Sequence, residues 1–268
     1  MKKTNIIFWI IAFIVTIFSA YYQRVTGPTY PLSGGTVFNG KEIKYKFERS
    51  NLVNENCEVK IYTGDENMKG TIVWKRYGTK DDWTKSEMTF ENGFLKGELP
   101  GQQIASAKLI YKVRLSKDSN EIYLPAERDA IIRFKGDVPA VLLIFHIIFM
   151  FCAMLYSTRT GLEYFRKEPN YKKLAFLTLG LLTVGGLILG MLVQKYAFGE
   201  YWTGIPYGFD LTDNKTLIAF IGWIIAIIAV FKSKKPGYWI LGAAILMLII
   251  FLIPHSIFGS ELDYSKIN

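Results

Sequence analysis

The sequence predicts an α+β membrane protein: five transmembrane helices, with an extracytoplasmic β-sandwich of immunoglobulin or fibronectin type III kind inserted between the first and second. Three observations carry this. Half of the 268 residues are hydrophobic, too many for an ordinary soluble chain, and they gather in one N-terminal run and four C-terminal runs. The polar stretch between those runs, roughly a hundred residues, changes to an alternation of period two. Basic residues concentrate in every second connector between the apolar runs, as membrane insertion requires.

Taken in order, Lys2 and Lys3 precede the apolar run 6–20. A secretory signal has this form, but Phe18 stands three residues before a cut after Ala20, where a small residue is needed. With Tyr21 and Tyr22 as an interfacial belt the run is just long enough to span a bilayer, so residues 1–22 are expected to remain as an anchor helix. Residues 23–40 are rich in Gly, Pro, Ser and Thr and read as an extended linker that cannot hold a helix.

Residues 41–136 are assigned to the sandwich. Runs 43–47, 57–62, 71–77, 109–115 and 130–134 alternate or are β-branched and aromatic, and Thr63-Gly-Asp65, Glu91-Asn-Gly93, Leu99-Pro-Gly101 and Lys117-Asp-Ser-Asn120 supply turns. Seven to nine short strands in this length suit two antiparallel sheets. Pro100 followed by Tyr111 resembles the corner before the penultimate strands of such sandwiches. Trp74 is expected in the core, and Trp83 with it offers a lesser sugar- or peptide-binding reading.

Residues 138–256 form the expected four-helix domain, with apolar runs 140–157, 174–193, 216–231 and 238–254 and a tail at 257–268. Arg159, Arg166, Lys167, Lys172 and Lys173 follow the first of these runs, and Lys232, Lys234 and Lys235 follow the third. Together with Lys2 and Lys3 they fix one topology: N-terminus in, sandwich out, 195–215 out, C-terminus out, in a bacterial-type inner membrane. Gly180, Gly185, Gly186 and Gly190 suit close helix contact, and Gly186 and Gly190 make a GxxxG.

The net charge of +9 is what cytoplasmic loops of a membrane protein carry, and no Lys/Arg block is long enough to read as a nucleic-acid tail. Cys57 and Cys152 lie in different regions, so no disulfide is expected. No nucleophile–base pair, zinc spacing, P-loop or nucleotide fingerprint appears. The chain therefore leans away from being an enzyme.

What remains is the loop 199–215, with Tyr201, Trp202, Tyr207, Phe209, Asp210 and Asp213, flanked in sequence by the two histidines of the protein, His146 and His255. The topology puts both histidines on the side of that loop. His146 sits in an apolar run, about 10 Å below the outer end of its helix at 1.5 Å per residue. An ionisable group there is a functional candidate, although a neutral ring bonded to a neighbouring helix accounts for it as well. Interfacial aromatics, with Asp213 or Thr212 capping the next helix, explain much of the loop without a ligand. Glu200, Asp210, Asp213, Glu261 and Asp263 near Lys195 and Lys215 read as solvated charge or, less simply, a cation site.

This order resembles the haem-handling membrane proteins of cytochrome c biogenesis, in which an external tryptophan-rich "WWD" loop is flanked by two histidines. The similar pieces are His146, the loop from Gly199-Glu-Tyr-Trp202 through Phe209-Asp210, and His255-Ser256, over about residues 138–260. This loop departs from the family in holding one tryptophan, with Tyr201, Tyr207 and Phe209 where others would stand. The resemblance implies haem held axially by His146 and His255, with Trp202, Tyr207 and Asp210 beside it and Lys195 or Lys215 on its propionates. The competing expectation is a non-enzymatic accessory or scaffold subunit, in the lipid bilayer, that holds membrane or periplasmic protein partners and no cofactor.

Overall fold

The structure is a computed structural model and describes residues 2–254. The chain divides into two units, one of 29–137 and one made of the preceding N-terminal segment and the chain from Val138 onward.

The first unit is two β-sheets around one apolar core. One sheet has the order β1-β2-β4-β8-β7, from β1 (Leu32–Phe38), β2 (Lys41–Phe47), β4 (Cys57–Tyr62), β7 (Thr89–Glu91) and β8 (Phe94–Leu99). The other has the order β3-β11-β9-β5-β6, from β3 (Ser50–Leu52), β5 (Lys69–Arg76), β6 (Thr84–Glu87), β9 (Lys108–Lys117) and β11 (Ala130–Lys135), and β10 (Asn120–Leu124) also pairs with β9. All pairings are antiparallel except β3 with β11. The alternation in sequence sorts the side chains: Leu109, Tyr111, Val113 and Leu115 of β9 are fully buried against Ile43, Phe47, Ile61 and Leu95 of the other sheet. The Tyr111 hydroxyl donates to the Glu48 carbonyl at 2.8 Å. That partner lies just past the end of β2, far upstream in the sequence. Trp74 packs against the core with its ring N–H on the Ser86 hydroxyl, and Trp83 lies between the Lys75 and Lys112 ammonium groups.

The expected linker 23–40 is overturned. The N-terminal helix continues to Thr26, and Leu32–Phe38 pairs with β2 along its whole length, from Leu32 opposite Phe47 to Phe38 opposite Lys41. The physical reason is the dipeptide Asn39-Gly40, whose φ of 47° and 75° make the two-residue hairpin turn that Asn-Gly favours. It closes a ribbon whose first strand is poor in the usual strand formers.

The second unit is helical: α1 (Lys2–Thr26), α2 (Ala140–Leu162) with a 3₁₀ turn at Glu163–Phe165, α3 (Tyr171–Leu182), a π-helical segment at Thr183–Leu189, α4 (Gly190–Phe198), α5 (Leu211–Lys232) and α6 (Pro236–Leu252). Residues 171–198 are one continuous rod. Among the described residues four helices are long and apolar enough to cross a membrane, 4–26, 140–165, 171–198 and 211–232, whereas the apolar α6 is shorter. Alanines 153, 175, 219, 226, 243 and 244 line the shared core and let the helices approach around the fully buried Trp223, whose ring N–H meets the Met247 sulfur at 3.2 Å.

Helix ends differ from the expected ones. The second helix passes Ser157 to Leu162, so Arg159 is not in an inner connector but is 2% exposed inside the bundle. Its Nη1 lies 2.6 Å from Oε1 of the fully buried Glu163, one helical turn on, and Arg166 meets the same carboxylate at 2.9 Å. Two arginines and a backbone N–H from Asn170 neutralise and satisfy Glu163, which is what allows charge at a buried helix end. Among the expected close-contact glycines, Gly185 and Gly186 press on α2 and α5, while Gly180 faces open space.

Candidate functional site

The aromatic loop is shorter than the expected 195–215. α4 runs to Phe198 and stops at Gly199, whose φ is 88°, and α5 begins at Leu211. The N-cap is Asp210, not Thr212 or Asp213: its carboxylate accepts from the N–H groups of Thr212 at 2.7 Å and Asp213 at 3.3 Å. Asp213 turns inward instead. Its Oδ2 accepts from the Thr203 N–H at 2.6 Å, the Thr203 hydroxyl at 3.2 Å and Gln194 Nε2 at 3.0 Å, and the residue is 5% exposed. Asn214 accepts from the Ile205 N–H at 2.7 Å. The first turn of α5 thus gathers the loop onto itself, and Gly204 is needed there because a Cβ would stand 2.7 Å from the Cβ of Asp213.

Held to α5 through Thr203, Ile205 and Asp210, the loop presents its aromatic side chains. Trp202 is half-buried with its ring N–H on the Ile205 carbonyl at 3.1 Å. Tyr207 is 83% exposed and Phe209 88% exposed. Both lysines expected to meet propionates already have partners. Lys215 is 4% exposed and its ammonium donates to the Ile253 carbonyl past the end of α6 at 2.7 Å, while Lys195 donates to the Gly199 carbonyl and covers the Tyr201 ring.

His146 lies on α2 facing the π-helical segment. Its Nδ1 is 2.9 Å from the Gly185 carbonyl, which also accepts from the Gly190 N–H five residues on. A carbonyl can only accept, so Nδ1 carries the proton, and in the neutral ring Nε2 is left with a lone pair. His146 therefore supplies a second hydrogen bond at the place where the helix departs from α-geometry. The ring packs by Gly190, eight residues before the end of α4, or about 12 Å along the helix axis. Of the predicted site residues, Trp202, Tyr207 and Asp210 share the loop, and His146 lies below it. His255 is outside the described residues. No group of three or more His, Cys, Asp or Glu side chains suited to a metal occurs among the described residues.

Several polar residues escaped the sequence reading. Gln194, a polar residue in the last turns of an apolar helix, gave a signal that could have been followed to Asp213. Gln23, which donates to the Phe251 carbonyl at 2.9 Å, and the buried pair Arg159–Glu163 gave none that separates them from connector residues. The chain has no match among protein-family models, curated proteins or solved structures.

Proposed function

We propose that the protein is a non-enzymatic accessory or scaffold subunit of a membrane protein complex. In this reading all five helices span a bacterial-type inner membrane with the N-terminus inside. The two-sheet unit is an immunoglobulin-like domain on the outer side, and the partners are membrane or periplasmic proteins. The basic residues Arg166, Lys167, Lys172, Lys173, Lys232, Lys234 and Lys235 in the connectors support the orientation.

One observation carries the functional part. The loop 199–210 is tied to the first turn of α5 through Thr203 and Ile205 while Tyr207 and Phe209 stand clear of it. A preformed loop that displays aromatic side chains is suited to protein contact, where such residues are enriched. Photocrosslinking residues placed at Tyr207 and Phe209, and at Trp83 and Trp202 for comparison, test it in native membranes. The expected result is one discrete protein adduct at the loop, retained on mild detergent extraction. Adducts with lipid alone, together with a monodisperse partner-free preparation, overturn it.

The second reading is haem between His146 and His255, and one observation favours it: the Nδ1–H bond to Gly185 orients the ring and leaves Nε2 as the available ligand atom, as the hydrogen bond from the other ring nitrogen does in metal-bound histidines. An optical spectrum of purified protein with added haem decides it. A Soret band lost in His146→Ala and His255→Ala supports this reading, and a protein that takes up no haem ends it.

A further inference from the structure

Two connectors meet at one end of the helical unit, 163–173 joining α2 to α3 and 232–238 joining α5 to α6. The rings of Tyr164 and Tyr238 lie 5.4 Å apart. Gly237 is buried against Tyr164 and Tyr171, so closely that a Cβ there would stand 2.7 Å from the Tyr171 hydroxyl oxygen. The Lys172 ammonium lies over the Phe231 ring, 4.9 Å from its centre. The two connectors therefore make one surface. Six lysines stand exposed on it, Lys167, Lys172, Lys173, Lys232, Lys234 and Lys235, against one exposed carboxylate, Glu168. The other acid of this region, Glu163, is buried and taken by Arg159 and Arg166. Among the described residues none of the six lysines forms an ion pair.

Membrane insertion accounts for cations in each of these connectors, but it does not require the two to be locked together. Six like charges gathered without counter-charge repel one another and raise the local potential, and a bound anion relieves both. The aromatic side chains of the same surface identify what carries that anion. Phe165, Phe231, Tyr238 and Trp239 are each 51–64% exposed among these lysines. Cations interleaved with exposed aromatics suit the boundary between a bilayer and water, where the anion is the phosphate of a lipid. A free phosphate or a soluble acidic protein would leave those rings in water. We propose that the paired connectors are a binding site for the phosphate head groups of anionic glycerophospholipids in the inner leaflet. The inference rests on the reading of these helices as spans with this end inside.

The test uses full-length protein extracted in mild detergent, given equal amounts of phosphatidylglycerol and phosphatidylcholine with the same acyl chains. Native mass spectrometry reads which lipid stays bound. The expected result is a several-fold excess of phosphatidylglycerol, brought close to parity when Lys172→Gln, Lys234→Gln and Lys235→Gln are combined. Gly237→Val should lower the excess with every charge still in place, because its side chain pushes on Tyr164 and Tyr171 and parts the connectors. Tyr238→Ala, at an exposed ring, makes the same test without crowding a buried position. Parity in the wild type, or an excess that survives the triple change, overturns the site. An excess that neither Gly237→Val nor Tyr238→Ala lowers also overturns it, since summed charge would then suffice. Displacement of the lipid by polyglutamate at equal charge overturns the lipid as occupant in favour of an acidic soluble partner. The orientation is read separately: a membrane-impermeant maleimide should label Lys234→Cys above the parent protein only after cells are permeabilised. Labelling in intact cells overturns the inner-side reading whatever the lipid result.

Discussion

Arg159 Nη2 donates a hydrogen bond of 2.5 Å to Oδ1 of Asn5, joining α2 to α1 across 154 residues of sequence. The guanidinium also lies over the rings of Phe8 and Trp9, 5.6 and 5.5 Å from their centres, and Trp9 meets Tyr156 edge to face. One buried cation thus holds a whole helix by a hydrogen bond and two π-faces, while Glu163 balances its charge.

Removing that balance should be costly. In Glu163→Ala, Arg159 keeps Asn5 and the two rings but loses its counter-charge in a site that is 2% exposed. Breaking a buried pair from one side costs about 3–5 kcal/mol. The expected outcome is a sharply lowered thermal midpoint in detergent, with the double change Arg159→Met, Glu163→Gln less damaging than Glu163→Ala alone. A single variant within about 0.5 kcal/mol of wild type, the usual spread for surface changes, would show the network to be ornamental.

The same contacts bear on processing. α1 has Ala12, Thr16 and Ser19 buried, and Gln23 donates to the Phe251 carbonyl. A cut after Ala20 would strip Arg159 of Asn5, Phe8 and Trp9 together. Intact-mass measurement of protein extracted from membranes should therefore find residues 6–20 still attached. A mature species beginning at Tyr21 would contradict this.

Asp210 and Asp213 divide two tasks that the sequence lumps together. Asp210→Ala should cost about 1 kcal/mol, the ordinary loss of a helix cap. Asp213→Ala should cost more, about 1–3 kcal/mol, because it removes from a buried place the one carboxylate oxygen on which the Thr203 N–H, the Thr203 hydroxyl and the Gln194 amide converge. Limited proteolysis reads the difference: cleavage within 199–210 should rise strongly in the Asp213 variant and little in the Asp210 variant. Equal susceptibility would mean the loop is not organised by Asp213.

A pH effect is expected in the β-sheet unit. The Lys117 ammonium donates to Asp65 at 2.6 Å and, with the Asn67 N–H and the Lys41 charge, holds the Asp65 carboxyl below its ordinary value. A lowered folded-state value means that the carboxylate stabilises the fold above the unfolded-state value and that this contribution is lost as pH falls through the folded one. The stability gap between wild type and Asp65→Asn should be full at neutral pH and close in acid, below about pH 4, the ordinary aspartate value. Thermal melts of both proteins across that range check it, and a gap that stays constant in acid refutes it.

Much of this was legible in the chain. The five runs read as strands are strands, and in 43–47, 57–62 and 109–115 a sheet with one buried face imposes period two on the sequence. β1 was hidden by its own composition, Leu-Ser-Gly-Gly-Thr-Val-Phe, and Asn39-Gly40 was the signal to follow. The charged connector at Lys232–Lys235 was placed correctly, but the ends of α2 and of the loop before α5 were misread. Arg159, Glu163, Asp213 and Lys215 look like connector residues, and each is buried because a partner distant in the chain or on the next turn satisfies it. Periodicity carries no record of such partners. The π-helical segment leaves only Gly185-Gly186 in the sequence, which reads equally as a helix-packing motif.

His146 is where a structural task and a functional one can be separated by chemistry. The latch to the Gly185 carbonyl uses Nδ1, and an asparagine amide nitrogen sits at nearly the same distance from the backbone. His146→Asn should therefore keep the bond and melt close to wild type. His146→Leu fills similar space without a donor and should lose about 1 kcal/mol, the usual worth of one hydrogen bond. Neither variant carries Nε2, so any haem uptake should vanish in both while stability differs between them. If the asparagine variant were as unstable as the leucine variant, the Nδ1 bond would not be what steadies the π-helical segment. If both melt like wild type and only haem uptake changes, the ring is there for its ligand and not for the helix.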